Sequence, residues 1–153
     1  MIDWDRRYRI MRLHSACHVM SGVLLKDFDV RKHTGIQIYD DRARMDFDME
    51  KLDQTTAEEI EAAANRIVTE GHEISAKITS WEYVETEPDL KTVSGERYDR
   101  SSVPRILEIA GLDRQLDGGT HVSNTREIGR IRIVRRENKG RSNKRIVLVV
   151  EAP

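Results

Sequence analysis

Apolar and small side chains return at three- and four-residue intervals from Ile10 through Leu13, His14, Cys17 and Ser21 to Leu24, the stripe of one long helix that Asp3 or Asp5 can cap. Asp27-Phe28-Asp29 and Gly35 mark its exit, and the period then shortens. Residues 34–39 and 42–48 read as strands joined at Tyr39-Asp40-Asp41, the second alternating Ala43, Met45 and Phe47 with Arg42, Arg44, Asp46 and Asp48. Thr55 or Thr56, with Glu58 or Glu59 three residues on, forms a capping box for a second helix, whose Ile60, Ala63, Ala64, Ile67 and Val68 face a core and which Gly71 stops. Ile74, Ala76 and Ile78 then alternate with polar residues in a short strand.

Residues 81–102 carry the weakest pattern. Residues 81–87 read as a helical turn that Pro88 breaks, while Ser94-Gly95 and Ser101-Ser102 read as loop, and no role is assigned to them. Residues 103–109 are expected as a strand running straight into Gly111 and a loop at Asp117. Residues 130–136 and 144–151 pair as a hairpin whose connection, from Glu137 to Asn143, is polar and basic. Together these elements predict an α+β fold, a largely antiparallel sheet with the long N-terminal helix and the second helix laid against it.

Length and charge narrow the class. A chain of 153 residues is expected to form one domain, 1–153, with a core of its own. With 26 basic and 27 acidic side chains the net charge is −1, which argues against a bulk electrostatic nucleic-acid binder and leaves room for a local basic patch. No apolar run nears the roughly 18 residues of a membrane span, and Met1 to Arg7 lack a signal-peptide core, so a cytoplasmic protein is expected. The single cysteine, Cys17, permits no internal disulfide and agrees with a reducing compartment.

The chemistry concentrates in two stretches. His14 and His18 stand at i and i+4 of the first helix, one above the other on one face, as a bidentate metal grip requires. About a hundred residues later comes Asp117-Gly118-Gly119-Thr120-His121. The two stretches are expected to meet and share one metal ion. No Ser-His-Asp or Cys-His arrangement competes, so no covalent intermediate is expected. Cys17 reads as core packing, with ligation as the alternative.

His14-x-x-x-His18, Thr34-Gly35-Ile36-Gln37-Ile38, Arg44-Met45-Asp46-Phe47, Gly118-Gly119-Thr120-His121, Thr125 and Glu127-Ile128-Gly129, in that order, resemble the alanyl-tRNA editing family: the free-standing AlaX-type proteins and the editing domain of alanyl-tRNA synthetase, with the threonyl enzyme more distant. The resemblance runs from about residue 12 to the C-terminus and implies that family's editing-domain fold in its short form. It also implies a zinc site with ligands at His14, His18, position 117 and His121. The family's usual residue at the third position is cysteine, and Asp117 departs from it. A carboxylate binds zinc at about 2.0–2.2 Å and can keep the site, at some loss of selectivity for zinc. Alternatively Asp117 orients a histidine or the attacking water.

The reaction implied is hydrolysis of the ester joining a wrong amino acid to tRNA. The substrate would be tRNA-Ala charged with serine or glycine, because an alanine pocket rejects both only weakly. The metal would either activate water or hold the substrate while water attacks. Thr34, on the strand expected to line the pocket, is the candidate for reading the serine hydroxyl, against the plain reading that threonine suits a strand. Gln37 is a second candidate on the same wall. Gly118 and Gly119 would let backbone N–H groups approach the reacting carbonyl or ribose, or simply make a tight turn.

Other features read as structural. Arg44 and Asp46 are expected exposed or ion-paired, His33 and His72 on the surface, Trp4 and Trp81 as packing at an edge. Arg130, Arg132, Arg135, Arg136, Lys139, Arg141, Lys144 and Arg145 form either a solvated hairpin or a contact to acceptor-stem phosphates. Arg126 fills a position where the family often has glycine, adding a phosphate contact or altering a turn. Two further readings of function stay open: a metal hydrolase of another aminoacyl ester on the same scaffold, and a non-catalytic tRNA-binding module with a structural metal.

Overall fold

Helix α1 (Trp4–Phe28) opens at Asp3, whose carboxylate accepts the Arg6 N–H at 3.0 Å, and closes at Asp29, which turns left-handed at φ 54°. The computed structural model describes residues 1–90 and 98–153, so the expected loop at Ser94-Gly95 lies outside the described residues. After α1 come β1 (His33–Ile38), β2 (Ala43–Asp48), α2 (Gln54–Glu70), β3 (Ile74–Ile78), α3 (Trp81–Glu85), β4 (Arg105–Ile109), β5 (Asp113–Leu116), a 3-10 turn (Thr125–Ile128), β6 (Ile131–Asn138) and β7 (Asn143–Val150).

The strands form two antiparallel sheets rather than one: β1-β2-β7-β6 and β3-β4-β5. Helix α1 meets strands of both sheets, α2 and the 3-10 turn. Consequently it is buried on nearly every side, from Arg12 and Leu13 through Ser15 to Leu24, more fully than a single stripe implies. Gly22 allows a close approach, because a Cβ there would stand 2.5 Å from Leu112 Cγ in the β4–β5 turn. That contact draws the start of β5 toward the helix face that carries His18.

Strand β5 is the element missing from the sequence reading, which ran β4 directly into the Asp117 loop. Its inward positions are Asp113 and Gln115, both buried, so the usual apolar alternation is absent. The second helix is capped by Asp53 rather than by Thr55 or Thr56. Its carboxylate accepts both the N–H and the hydroxyl of Thr56, at 2.9 and 2.8 Å, and adds negative charge at the helix N-terminus.

The 3-10 turn ties the two helices together. Thr125 donates its hydroxyl to Ile67 O at the end of α2 and accepts His72 N–H, while Glu127 accepts from Tyr8 of α1 and from Ser123. The Arg126 guanidinium donates to Thr69 O and Glu70 O, so it caps α2 instead of reaching outward. His72 is half-buried and held between Ala110 O and Glu70, each at 2.7 Å, and is no loose surface histidine.

The basic hairpin is partly neutralised. Arg145 grips Asp46 with two hydrogen bonds of 2.7 and 2.8 Å, Arg132 pairs with Glu151 and Arg135 with Glu137. Lys144 is buried, its ammonium donating to Gly140 O and Arg141 O. Trp4 is 61% exposed and packs no edge. Trp81 joins Tyr98, Leu90, Ile106 and Leu116 in a small second core and donates its indole N–H to Ser102 O.

Candidate metal centre

The middle of α1 and the loop after β5 meet through one serine. Ser15, between the two histidines, donates to Met11 O one turn back and accepts the Val122 N–H at 3.0 Å, so the loop lies against the helix just past His121. From the other side Asp117 N–H donates to Arg105 O, and the Arg105 guanidinium reaches back to Asp117 O and Gly119 O. The loop is thereby held by α1 and β4 at once.

Four side chains converge as a result. One ligand atom from each of His14, His18, Asp117 and His121 falls within 4.8 Å of every other. Asp117 Oδ2 lies 3.1 Å from both His14 Nε2 and His18 Nε2, and Oδ1 is 3.6 Å from His121 Nε2. A tetrahedral ion with bonds of about 2.0–2.1 Å sets its ligand atoms about 3.3 Å apart, so these separations suit one. His121 adds a second sign: both of its ring nitrogens are buried with no hydrogen-bond partner among the described residues, a costly state that a metal bond would relieve. The residues fit a divalent ion held by three imidazoles and a carboxylate.

Electrostatics favour the donor form at His121 and Asp117. Burial, aided by positive charge on His14 and His18, pushes the His121 pKa down to about 3, so this ring is neutral and offers a lone pair at physiological pH. Burial works to raise the Asp117 pKa, yet the hydrogen bonds from His14 and His18 prevail and hold it far below the carboxylate range. For His18 burial opposes charge, and its bonds to Asp113 and Asp117 outweigh that and raise its pKa. Cys17 is buried in the main core, and burial lifts its thiol to about 12, which keeps it a neutral packing group.

Three of the four, His14, His18 and Asp117, line a cavity of about 660 Å³ whose other lining includes Ser21, Thr34, Ile36, Tyr98, Gln115, Gly118 and Gly119. Thr34 thus reaches the cavity, with its hydroxyl donated to Asn143 Oδ1 at 2.8 Å. Gln37 does not line it: Thr34, Gly35, Ile36 and Ile38 do, and Gln37 is exposed. The two glycines differ. A Cβ on Gly119 would collide with His14 Cε1 and stand 2.7 Å from Nδ1, while one on Gly118 would meet nothing within 4 Å among the described residues. Gly119 N–H donates to Asp117 Oδ1 at 2.6 Å, fixing the carboxylate's turn toward the histidines.

Asp113 is the site residue that pattern reading missed. Its Oδ2 accepts from His18 Nδ1 at 3.1 Å and from Gln115 Nε2 at 2.8 Å. The available signal was a polar i, i+2 pair, Asp113 and Gln115, leading directly into the Asp117 loop.

Comparison with known proteins now bears on this arrangement. Residues 105–147 match the threonyl and alanyl tRNA synthetase second additional domain, a segment that contains Asp117 and His121. The alanyl-tRNA editing protein AlaX-M of Methanosarcina acetivorans is 38% identical over 147 residues, 95% of this chain and 60% of that protein. Its namesake in Saccharolobus solfataricus is 38% identical over 150 residues, 98% and 62% of the two chains. The chain is thus similar to alanyl-tRNA editing proteins over almost its whole length. The alanine–tRNA ligase of Thermococcus kodakarensis is also similar, 37% identical over 145 residues, which are 89% of this chain and 15% of the ligase. The chain therefore spans about 60% of the length of the curated editing relatives it matches. Its α+β fold, with helices packed on antiparallel sheets, agrees with the editing-domain match. Among the described residues no helix is long and apolar enough to cross a membrane.

Proposed function

We propose that this chain is a zinc-dependent aminoacyl-tRNA deacylase that hydrolyses tRNA-Ala mischarged with serine, and with glycine. The observation that carries the reading is the convergence of His14, His18, Asp117 and His121, the first three of which line a cavity large enough for an aminoacyl group. The relatives' names as alanyl-tRNA editing proteins supply the substrate class. Such work belongs in the cytoplasm, where charged tRNA is used.

An ion held by these four residues would supply Lewis acidity toward the ester carbonyl or toward a water. The chain's own groups do the rest. Thr34 donates its hydroxyl proton to Asn143, so its oxygen is left to accept from a serine hydroxyl, a contact that alanine cannot make. Gly119 N–H is already bonded to Asp117, so backbone contact to the substrate falls to Gly118 of the pair. Asp117, turned by Gly119, keeps Oδ2 toward the histidines.

Deacylation of seryl-tRNA-Ala beside alanyl-tRNA-Ala, with and without a chelator, tests this reading. Chelator-sensitive hydrolysis of the seryl ester, with the alanyl ester spared, is expected. Thr34→Val should narrow the preference for serine, a methyl replacing the accepting oxygen. Chelator-resistant hydrolysis, or none by the zinc-loaded protein, contradicts it.

A further inference from the structure

Beside the four candidate ligands lies a second carboxylate that no ligand role requires. Asp113 is 5% exposed and sits on the inward face of β5, where an unpaired charge would be strongly disfavoured. It accepts from His18 Nδ1 at 3.1 Å. It also accepts from Gln115 Nε2 at 2.8 Å, and the same amide nitrogen lies 3.1 Å from Ser21 Oγ, one helical turn beyond His18. Ser21 Oγ in turn is 3.0 Å from His33 Nε2 at the start of β1. A buried polar chain thus runs from the candidate metal ligand His18 across β5 and α1 to the neighbouring sheet.

We infer that Asp113 is a positioning residue for the metal centre, fixing His18 in the tautomer whose Nε2 lone pair faces the ion. The argument is one of donor count. An ionised carboxylate only accepts, so the His18 nitrogen that meets it must carry the proton. That nitrogen is Nδ1, which leaves Nε2, the one 3.1 Å from Asp117, as the atom whose proton an ion would displace. The constraint propagates: with Asp113 accepting, the Gln115 side chain must turn its NH₂ to both Asp113 and Ser21. Gln115 therefore holds the same carboxylate oxygen that faces His18. A carboxylate behind a ligating imidazole also raises the ring's basicity, and loss of such a partner generally weakens metal affinity about 10–100-fold. The helix alone does not supply this, since an i, i+4 spacing sets where a ring stands but not which nitrogen is protonated.

The inference rests on the metal reading above, and the experiment separates the two. Zinc affinity is measured by competition with a chromogenic chelator for the wild-type protein and for Asp113→Asn. In parallel, imidazole ¹⁵N NMR of the zinc-loaded wild type reports which His18 nitrogen carries the proton. Tight zinc binding by the wild type, a protonated Nδ1 on His18 and a 10–100-fold weaker affinity in Asp113→Asn are expected. A wild type that takes no zinc overturns the metal reading and this inference with it. Zinc binding with equal affinity in both proteins, or metal on His18 Nδ1 in the wild type, overturns the inference alone. The NMR arm uses only the native chain, so a variant that does not fold leaves the test intact.

Discussion

At the scale of single residues, adjacent positions of similar type separate sharply once their neighbours are known. Gly118 and Gly119 look alike in the chain, yet only Gly119 lies under the His14 ring. Gly119→Ala should displace His14 and weaken zinc binding at least tenfold, whereas Gly118→Ala should bind zinc like the wild type. Titration with a zinc-buffered indicator compares them, and equal affinities would contradict the packing argument. Asp117 was readable as a candidate ligand because the resemblance of its loop to the editing family's second metal motif puts a ligand there. Asp113 was not, because nothing in a lone carboxylate announces that a histidine on another element lies 3.1 Å away. Arg126 was legible only as a departure, and its role as a helix cap appeared once Thr69 O and Glu70 O were seen beneath it.

At the scale of elements, helices and hairpins were legible where burial is apolar and obscure where it is polar. The two long helices and strands β1, β2, β6 and β7 follow from period and turn residues, with ends shifted by one or two positions. Strand β5 fails that test because it turns Asp113 and Gln115 inward, and sequence rules tend to fail at functional sites for this reason. Its absence from the pattern also hid the second sheet. The 3-10 turn is short, and its order comes from contacts to elements far away in the chain: Thr125 bridges Ile67 O and His72 N. Thr125→Val should leave both groups without that partner and cost about 1–3 kcal/mol. Urea unfolding measures it, and a loss below half a kcal/mol would show that the turn does not join the helices as described.

At the scale of the whole molecule, the first helix holds two sheets, a helix and the loop of the candidate site around itself. The larger sheet is locked across its middle by Asp46 and Arg145, whose paired hydrogen bonds lower the Asp46 pKa below its ordinary value. A carboxylate with a depressed folded-state pKa contributes stability above its unfolded pKa, about 3.9, and loses it as pH falls through the folded value. The urea midpoint should therefore fall below about pH 4, and Asp46→Asn should lower it at neutral pH while flattening that acid limb. An unchanged acid limb in the variant would assign the dependence to other carboxylates. Zinc K-edge X-ray absorption on the purified, zinc-loaded protein tests the central claim most directly. One ion per chain with only nitrogen and oxygen neighbours at about 2.0–2.2 Å is the predicted result. A sulfur neighbour near 2.3 Å would bring in Cys17 against the structure, and a protein that retains no ion would contradict the site altogether.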